Sequence, residues 1–124
     1  MRYNEEKLQT ACIKWFDLAH PELRLLLHHS PNGGARTAYE GMAFKRMGTR
    51  AGFPDLILLK PVGNCPFLCV EMKSGKGRQT DTQREYQKAV ESVGARYVVC
   101  RDVAEFISAI GDYLYMQENH GITL

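Results

Sequence analysis

Apolar and polar residues follow two periods along this chain, and each change of period marks a secondary-structure element. Apolar residues three and four apart indicate helices, whereas alternation, or a short apolar run bounded by turn residues, indicates strands. The predicted order is helix, strand, helix, strand, strand, helix, strand, helix. The expected elements are a helix from about Asn4, its N-cap, to Ala19, a strand over the second half of residues 23–29, a helix over about 35–47, strands over 56–59 and 67–73, a helix from residue 80 or 81 to about 92, a strand over 96–100, and a helix capped by Asp102.

The segment from Gly52 to Lys73 is the part of the chain around which the other elements are arranged. Two apolar strands flank a loop that contains proline and glycine, so we expect an antiparallel hairpin. Side chains alternate along a strand, which puts Glu71 and Lys73 on one face, and antiparallel pairing brings Asp55 beside them. The first strand is apolar on both faces, which favours an α/β arrangement with helices on both sides of a sheet.

The convergence of Asp55, Glu71 and Lys73 favours a catalytic site. Two partly buried carboxylates repel each other unless a cation lies between them. Mg²⁺ takes oxygen ligands, often only one or two carboxylates together with phosphate oxygens, and a lysine can orient a water molecule or stabilise charge on a phosphate. Taken separately, Glu71 and Lys73 could form a solvated ion pair, and Asp55 could be an ordinary turn residue. Together they predict hydrolysis of a phosphodiester.

Two residues on helices are candidates to join this site. Glu5 leans towards the buried side of the first helix, because Leu8 and Cys12 follow it one and two turns later. It is either a further acidic contributor to a metal site or a favourable charge in a first helical turn. Gln83 lies in the first turn of the helix that follows the hairpin, within reach of the site if that helix packs behind the hairpin.

The candidates for contact with nucleic acid are mostly polar and basic residues near the hairpin. Neighbours on a strand point to opposite faces, so at most one of His28 and His29 can face the site, and we assign substrate contact to His29. Asn32 and Arg36 lie beside glycines and could hold a phosphate or simply form a turn. The other basic candidates are Lys45, Arg50, Lys76 and Arg78. A charge run is usually a solvated face, so contact with the DNA backbone is a second interpretation of these residues.

Length and composition limit the classes of protein that are possible. The 124 residues fit one domain, 1–124, and ordinary proportions of charged and apolar residues argue against disorder. With a formal net charge of +2, any affinity for DNA must come from local basic patches. No apolar run approaches the roughly 20 residues of a membrane span, and the N-terminus lacks the apolar core of a signal peptide, so we expect a cytoplasmic protein. The four cysteines match no zinc-ligand spacing, and we expect three of them in the core.

The ordered set of these residues resembles a known group of nucleases. Gly-x-Pro-Asp ending at Asp55, a hairpin, and then Glu71-x-Lys73 resemble the PD-(D/E)xK nuclease superfamily, whose restriction-endonuclease-like core is a mixed β-sheet flanked by helices on both faces. More narrowly, the chain is similar to the VRR-NUC family, including its small stand-alone phage and bacterial members. The similarity extends over nearly the whole chain and is carried by Glu5 and Gln9, residues 29–34, 45–48 and 51–55, the strand 71–73, and Gln83.

This resemblance implies a role for each residue of the site. The implied ligands of Mg²⁺ or Mn²⁺ are the side chains of Asp55, Glu71 and Glu5 and the backbone carbonyl of Met72. Lys73 would position the attacking water, and Gln83 would support the site. The implied activity is that of a structure-specific DNA endonuclease that resolves Holliday (four-way) junctions as a homodimer, without a small-molecule cofactor. A phage-encoded member would act in the cytoplasm of its host.

Two other classes of function remain open from the sequence. One is a different nuclease of the same fold, which cuts flaps, nicks DNA or recognises a sequence as restriction enzymes do. The other is a nucleic-acid-binding module without catalysis, although a module freed from catalysis has no reason to keep Asp55, Glu71 and Lys73 together. For a homodimer, the exposed side of the helix near residues 39–44 is a candidate interface.

Overall fold

The structure, a computed structural model, describes residues 2–31 and 37–122, with side chains described for 4–31 and 37–116. Its strands and α-helices follow the predicted order, and a short 3-10 helix precedes the first strand. The elements are α1 (Arg2–Ala19), the 3-10 helix (Pro21–Leu26), β1 (Leu27–His29), α2 (Ala38–Arg46), β2 (Leu56–Leu58), β3 (Leu68–Met72), α3 (Asp81–Ser92), β4 (Arg96–Cys100) and α4 (Val103–Ile122). Among the described residues, no helix has both the length and the apolar character needed to cross a membrane.

The strands form one mixed sheet in the order β1-β2-β3-β4. The pairs β1–β2 and β2–β3 are antiparallel, with Leu56 opposite Val70, whereas β3 and β4 are parallel, with Val70 opposite Val98. A hairpin loop is enough to join β2 to β3, but a parallel pair needs a crossover, which α3 provides. The predicted mixed sheet is therefore confirmed.

Helices cover both faces of the sheet, as the apolar character of β2 on both sides predicted. On one face Leu56 and Leu58 of β2 are fully buried in a core cluster that includes Phe16 of α1 and Phe106 of α4. On the other face Ile57 packs against a smaller cluster of buried residues beneath α3. The members of that cluster are Cys69, Val90, Ala95 and Tyr97.

The ends of the helices confirm some of the predicted caps and correct one. The side chain of Thr80 accepts the backbone N–H of Gln83 at the start of α3, and Asp102 accepts that of Glu105 at 2.8 Å in α4. The assignment of Asn4 as an N-cap is wrong, because α1 begins at Arg2 and Asn4 lies inside its first turn. Helix α2 is shorter than the predicted span of 35–47, since the N-cap that precedes it is at residue 37.

The four cysteines are all buried and unpaired, one more than the three expected in the core. Burial raises the pKa of Cys12 to about 11 and the pKa values of Cys69 and Cys100 to about 12. Thiols with such pKa values stay protonated at neutral pH, and a protonated thiol behaves as a small apolar side chain rather than a nucleophile. These three cysteines therefore serve as packing residues.

Candidate active site

Asp55 lies just before β2, where contacts from the neighbouring strands fix its backbone and its side chain. Its backbone carbonyl accepts hydrogen bonds from the ring Nδ1–H of His29 at 2.8 Å and from the backbone N–H of Ser30 at 3.3 Å. Its carboxylate Oδ2 accepts the backbone N–H of Met72 at 2.6 Å. The antiparallel register places Asp55 one residue beyond the pair Leu56–Val70, so the hairpin brings it to Glu71 as the sequence indicated.

The surroundings of Asp55 disfavour its negative charge. Burial is the largest cause that raises the pKa of this carboxyl, and the charges of Glu71 and Glu5 raise it further. The hydrogen bond from Met72 and the charge of His29 act in the opposite direction without cancelling the rise. A carboxylate in this environment gains stability when a cation binds beside it.

Glu71 is the only buried charged residue among the described side chains, with 0% of its surface exposed. Its Oε1 accepts hydrogen bonds from the hydroxyl of Tyr97 and from Nε2 of Gln79, the latter at 3.2 Å. Its Oε2 is buried and has no hydrogen-bond partner within the described structure. A buried carboxylate oxygen without a partner is costly, so its retention here points to a group that this atom binds.

Lys73 follows β3 and is held close to Glu71. Its Nζ lies 3.6 Å from Oε2 of Glu71, and 13% of the Lys73 side chain is exposed. Its backbone N–H donates to the carbonyl of Cys100 at 3.1 Å, which extends the pairing of β3 with β4 by one residue. The ammonium group therefore stands at the edge of a buried carboxylate site with access to solvent.

Oxygen donors at this site suit a hard divalent cation. Asp55, just before β2, and Glu71 of β3 supply carboxylates. The buried Oε2 of Glu71 accepts no hydrogen bond from the described residues and lies 3.6 Å from the Lys73 ammonium. The carbonyl of Met72 lies between Glu71 and Lys73 in the chain. No set of three His, Cys, Asp or Glu side chains within the described residues is placed to hold one ion. Mg²⁺ commonly takes only one or two carboxylates and completes its shell with water and phosphate oxygens, so this pair is sufficient.

Glu5 acts on the site through its charge. It lies in the first turn of α1, is partly buried, and raises the pKa of Asp55 by Coulomb repulsion. It does not join the Asp55–Glu71 pair in a set of three ligands. The structure thus brings Glu5 to the edge of the site, and its proposed role as a direct ligand finds no geometric support in the side-chain positions.

Tyr97 and Gln79, which bind Oε1 of Glu71, were not among the site residues predicted from the sequence. Tyr97 is paired with Cys69 in the parallel register, which puts its hydroxyl on the same face of the sheet as Glu71. Nε2 of Gln79 also donates to Oε1 of Gln87 of α3 at 2.9 Å. A tyrosine in an otherwise apolar strand was a usable signal, since a buried hydroxyl requires a partner. Gln79 carried no such signal, because its position depends on the loop conformation after β3.

Gln83, expected to support the site, caps a helix in this structure. Its Oε1 accepts the backbone N–H of Thr80 at 2.8 Å, and its own N–H donates to the Thr80 hydroxyl at 3.2 Å. The start of α3 lies against Gly52, where an added Cβ would come within 2.6 Å of the carbonyl carbon and oxygen of Thr82. Gln83 therefore orders the helix terminus that abuts the turn leading to Asp55, and the glutamine that touches Glu71 is Gln79.

The predicted DNA-contacting residues that the structure describes lie at the surface. These exposed residues are His29, Lys45, Arg50, Lys76 and Arg78. Asn32 and Arg36 lie outside the described residues. Arg101, which the sequence did not highlight, donates to the carbonyls of Gly75 at 3.0 Å and Gly77 at 2.8 Å and so fixes the basic loop after Lys73.

Two comparisons with known proteins found similar proteins. The family model described as "VRR-NUC domain" matches residues 1–104. A solved structure described as "VRR_NUC domain protein" is 31% identical, superposes with a TM-score of 0.79, and aligns over 90% of this chain and 88% of its own. A search of the curated proteins found no match.

The family match, together with the fold shared with that solved structure, defines this protein as a nuclease domain of α/β fold. The chain belongs to the VRR-NUC family, which confirms the resemblance drawn from its sequence. A nuclease domain implies DNA as the substrate.

Proposed function

We propose that this protein is a Mg²⁺- or Mn²⁺-dependent endonuclease that hydrolyses phosphodiester bonds in DNA. Asp55, Glu71 and the Met72 carbonyl would hold the cation, with Glu5 contributing negative charge at the edge of the site. The observation that carries the proposal is the buried Oε2 of Glu71, which accepts no hydrogen bond from any described residue and lies 3.6 Å from Nζ of Lys73. A bound divalent cation would stabilise the charge that develops on the phosphate and make an adjacent water more acidic.

The protein residues each have a defined task in this reaction. Tyr97 and Gln79 occupy Oε1 of Glu71 and thereby direct Oε2 towards Lys73. The Lys73 ammonium donates hydrogen bonds only, so it can orient the attacking water and stabilise a phosphate oxygen. Asp55 is oriented by the N–H of Met72. The exposed cations near the site would bind the flanking phosphates, which makes DNA affinity dependent on salt.

The first experiment is cleavage of end-labelled DNA in Mg²⁺, in Mn²⁺ and in EDTA, with wild type, Lys73→Ala and a control. Lys88→Ala is the matched control because Lys88 is exposed on α3. We expect metal-dependent cutting that falls about 100-fold or more in Lys73→Ala and is unchanged in the control. DNA binding without cutting in any metal would instead identify a non-catalytic module, and equal cutting by both variants would remove Lys73 from the reaction.

For the preferred substrate we propose a four-way junction cut by a homodimer. A two-fold enzyme suits a two-fold junction, since each subunit can present one site to one strand. Helix α2 supports an interface: none of its residues is buried, and Tyr39 and Met42 are 76% and 59% exposed. Paired symmetric nicks in the junction, together with a dimer in sedimentation, are the expected results. Preferential cutting of flaps or of linear duplex, or a monomer on the junction, would overturn this assignment and leave the nuclease intact.

A further inference from the structure

A cavity of about 400 Å³ lies beside the proposed active site. Three parts of the chain line it: the two residues that follow β1, the turn after α2, and two aromatic residues, one just before Pro54 and one in α3. The lining residues are Ser30, Pro31, residues 47–50, Phe53 and Tyr86. Its volume falls within the range of about 300–1,000 Å³ that is usual for small-ligand sites.

Two residues that line the cavity are close to Asp55, one through a hydrogen bond and one along the chain. The N–H of Ser30, on the cavity wall, donates to the carbonyl of Asp55 at 3.3 Å. Phe53, which also lines the cavity, precedes Asp55 by two residues in the Gly-x-Pro-Asp motif. A group in the cavity would therefore be a near neighbour of a phosphate bound at Asp55.

The lining suits a flat aromatic group attached to a negatively charged backbone. Phe53 and Tyr86 meet edge to face with ring centroids 5.2 Å apart, and Met47 presents a flexible apolar side chain that is 73% exposed. Arg50 and Thr49 supply hydrogen-bond donors at the same rim, and no acidic residue is among the described lining residues. Aromatic and thioether groups contact planar rings favourably, and a cation at the rim attracts phosphate.

We propose that this cavity binds one unpaired nucleobase of the DNA, next to the phosphate that is cut. Met47 and Tyr86 contact the base, and Arg50 contacts a flanking phosphate. The position next to the cut rests on the proposed nuclease function, whereas binding of the base rests on the cavity itself. Stacking tolerates any base, so the cavity selects DNA with an unpaired nucleotide rather than a sequence. Bulges and single-stranded flaps contain such a nucleotide, which completely paired duplex lacks, and at a four-way junction one base would leave its pair to enter the cavity.

The test compares two duplexes that differ in one group. Each carries a single unpaired nucleotide, which has its base in one duplex and is abasic in the other. Binding is measured by fluorescence anisotropy in EDTA, so that no DNA is cut. We expect wild type to bind the base-bearing duplex at least about fivefold more tightly, because one stacked base contributes this much or more. Met47→Ala should remove most of that preference, and Arg50→Ala should weaken binding to both duplexes alike.

Leu18→Ala is the control, since Leu18 is an exposed apolar residue of α1 that does not line the cavity. The proposal is overturned if wild type binds the two duplexes equally, or if Leu18→Ala changes the preference as much as Met47→Ala. A base preference in EDTA without cleavage in any metal would uphold the cavity and overturn the nuclease proposal. Cleavage without a base preference would uphold the nuclease proposal and overturn the cavity proposal. Failure to bind either duplex in EDTA would overturn the cavity proposal, and absence of cleavage in every metal would overturn the nuclease proposal.

Discussion

The carboxylate of Asp55 and the backbone N–H of Met72 form a 2.6 Å hydrogen bond across the β2–β3 hairpin. This bond joins two residues 17 positions apart and fixes the carboxylate beside Glu71. It stabilises the ionised form of Asp55, but burial and the neighbouring acidic residues outweigh it, so the pKa of Asp55 remains raised. The folded protein thus holds a carboxylate that is destabilising until something neutralises it.

Replacing Asp55 by Asn should make the protein more stable and inactive. In the unfolded chain Asp55 loses its proton near pH 3.8, whereas in the folded protein its raised pKa means that the proton is kept to a higher pH. Since the folded state binds more protons in this window, stability falls as the pH rises through the raised pKa. Asp55→Asn keeps an acceptor for the Met72 N–H and escapes this loss. Urea unfolding should show a higher free energy of unfolding than wild type at pH 7 and no difference below pH 3.8.

The cleavage activity of Asp55→Asn should fall, although its stability rises. We expect a loss of at least about 100-fold in cleavage, because Asp55 is a proposed metal ligand. Addition of Mn²⁺ should raise the free energy of unfolding of wild type and not of Asp55→Asn. Asp112→Asn, on the exposed surface of α4, is the control for both measurements. A lower stability of Asp55→Asn at pH 7 would show that the carboxylate is not under electrostatic stress.

Tyr97→Phe should weaken metal binding without disrupting the fold. The ring keeps its place in the cluster beneath α3, but Oε1 of Glu71 loses the hydroxyl donor that orients the carboxylate. Loss of such an outer contact typically costs about 10- to 100-fold in metal affinity or activity. We expect the Mn²⁺ concentration for half-maximal cleavage to rise by about tenfold, with a smaller change in the rate at saturating Mn²⁺.

Tyr113→Phe provides the matched control for Tyr97→Phe. Tyr113 is also buried, and its hydroxyl donates to a backbone carbonyl, that of Lys60, at 2.5 Å. Its removal should lower the free energy of unfolding by about 1 kcal/mol and leave the metal dependence of cleavage unchanged. If both variants shifted the metal dependence equally, Tyr97 would have only a structural role.

Gln83→Ala should lower stability with little direct effect on the affinity for metal. Its side chain closes the capping box of α3 with Thr80, and loss of a helix cap costs about 0.5–2 kcal/mol. Glu40→Ala, which opens the equivalent box of α2, should produce a similar or smaller loss. Gln79→Ala should instead raise the Mn²⁺ requirement, since Gln79 donates to Glu71. If Gln83→Ala required much more Mn²⁺ for cleavage and Gln79→Ala did not, Gln83 would be the glutamine that supports the metal site.

The local patterns of the sequence were sufficient to predict the centre of this site. Asp55, Glu71 and Lys73 belong to one hairpin, whose register follows from a short loop and from alternation along two strands. Asp102 was predicted as a helix cap, and Thr80 was one of two candidates for the cap of α3. Each of these inferences needed only residues that are close together in the chain.

The supporting contacts depend on distant parts of the chain and could not be predicted in the same way. The bond from Tyr97 to Glu71 requires the parallel register of β3 with β4, which a crossover helix leaves unspecified. Gln79, which donates to Glu71, follows a loop that Arg101 binds through the carbonyls of residues 75 and 77. Gln83 was assigned to the site because it lies in a first helical turn. In the structure its side chain instead forms the capping box of α3 with Thr80.

Gly52→Ala should destabilise the protein and reduce cleavage, although Gly52 contributes no functional group. Its φ of +86° is rarely adopted by other residues, and an added Cβ would lie 2.6 Å from the backbone of Thr82 and 2.9 Å from that of Gln83. Relief of this clash must move either the start of α3 or the turn that positions Asp55. We expect the free energy of unfolding, measured with urea, to fall by about 1–3 kcal/mol.

Gly41→Ala is the control that separates this close contact from a general effect of replacing glycine. Gly41 lies within α2, and an added Cβ meets no atom within 4 Å, so alanine should stabilise the helix by about 0.5–1 kcal/mol. Cleavage by Gly41→Ala should match wild type. If Gly52→Ala proved as stable and as active as Gly41→Ala, the contact between α3 and the turn before Asp55 would not be what positions the carboxylate.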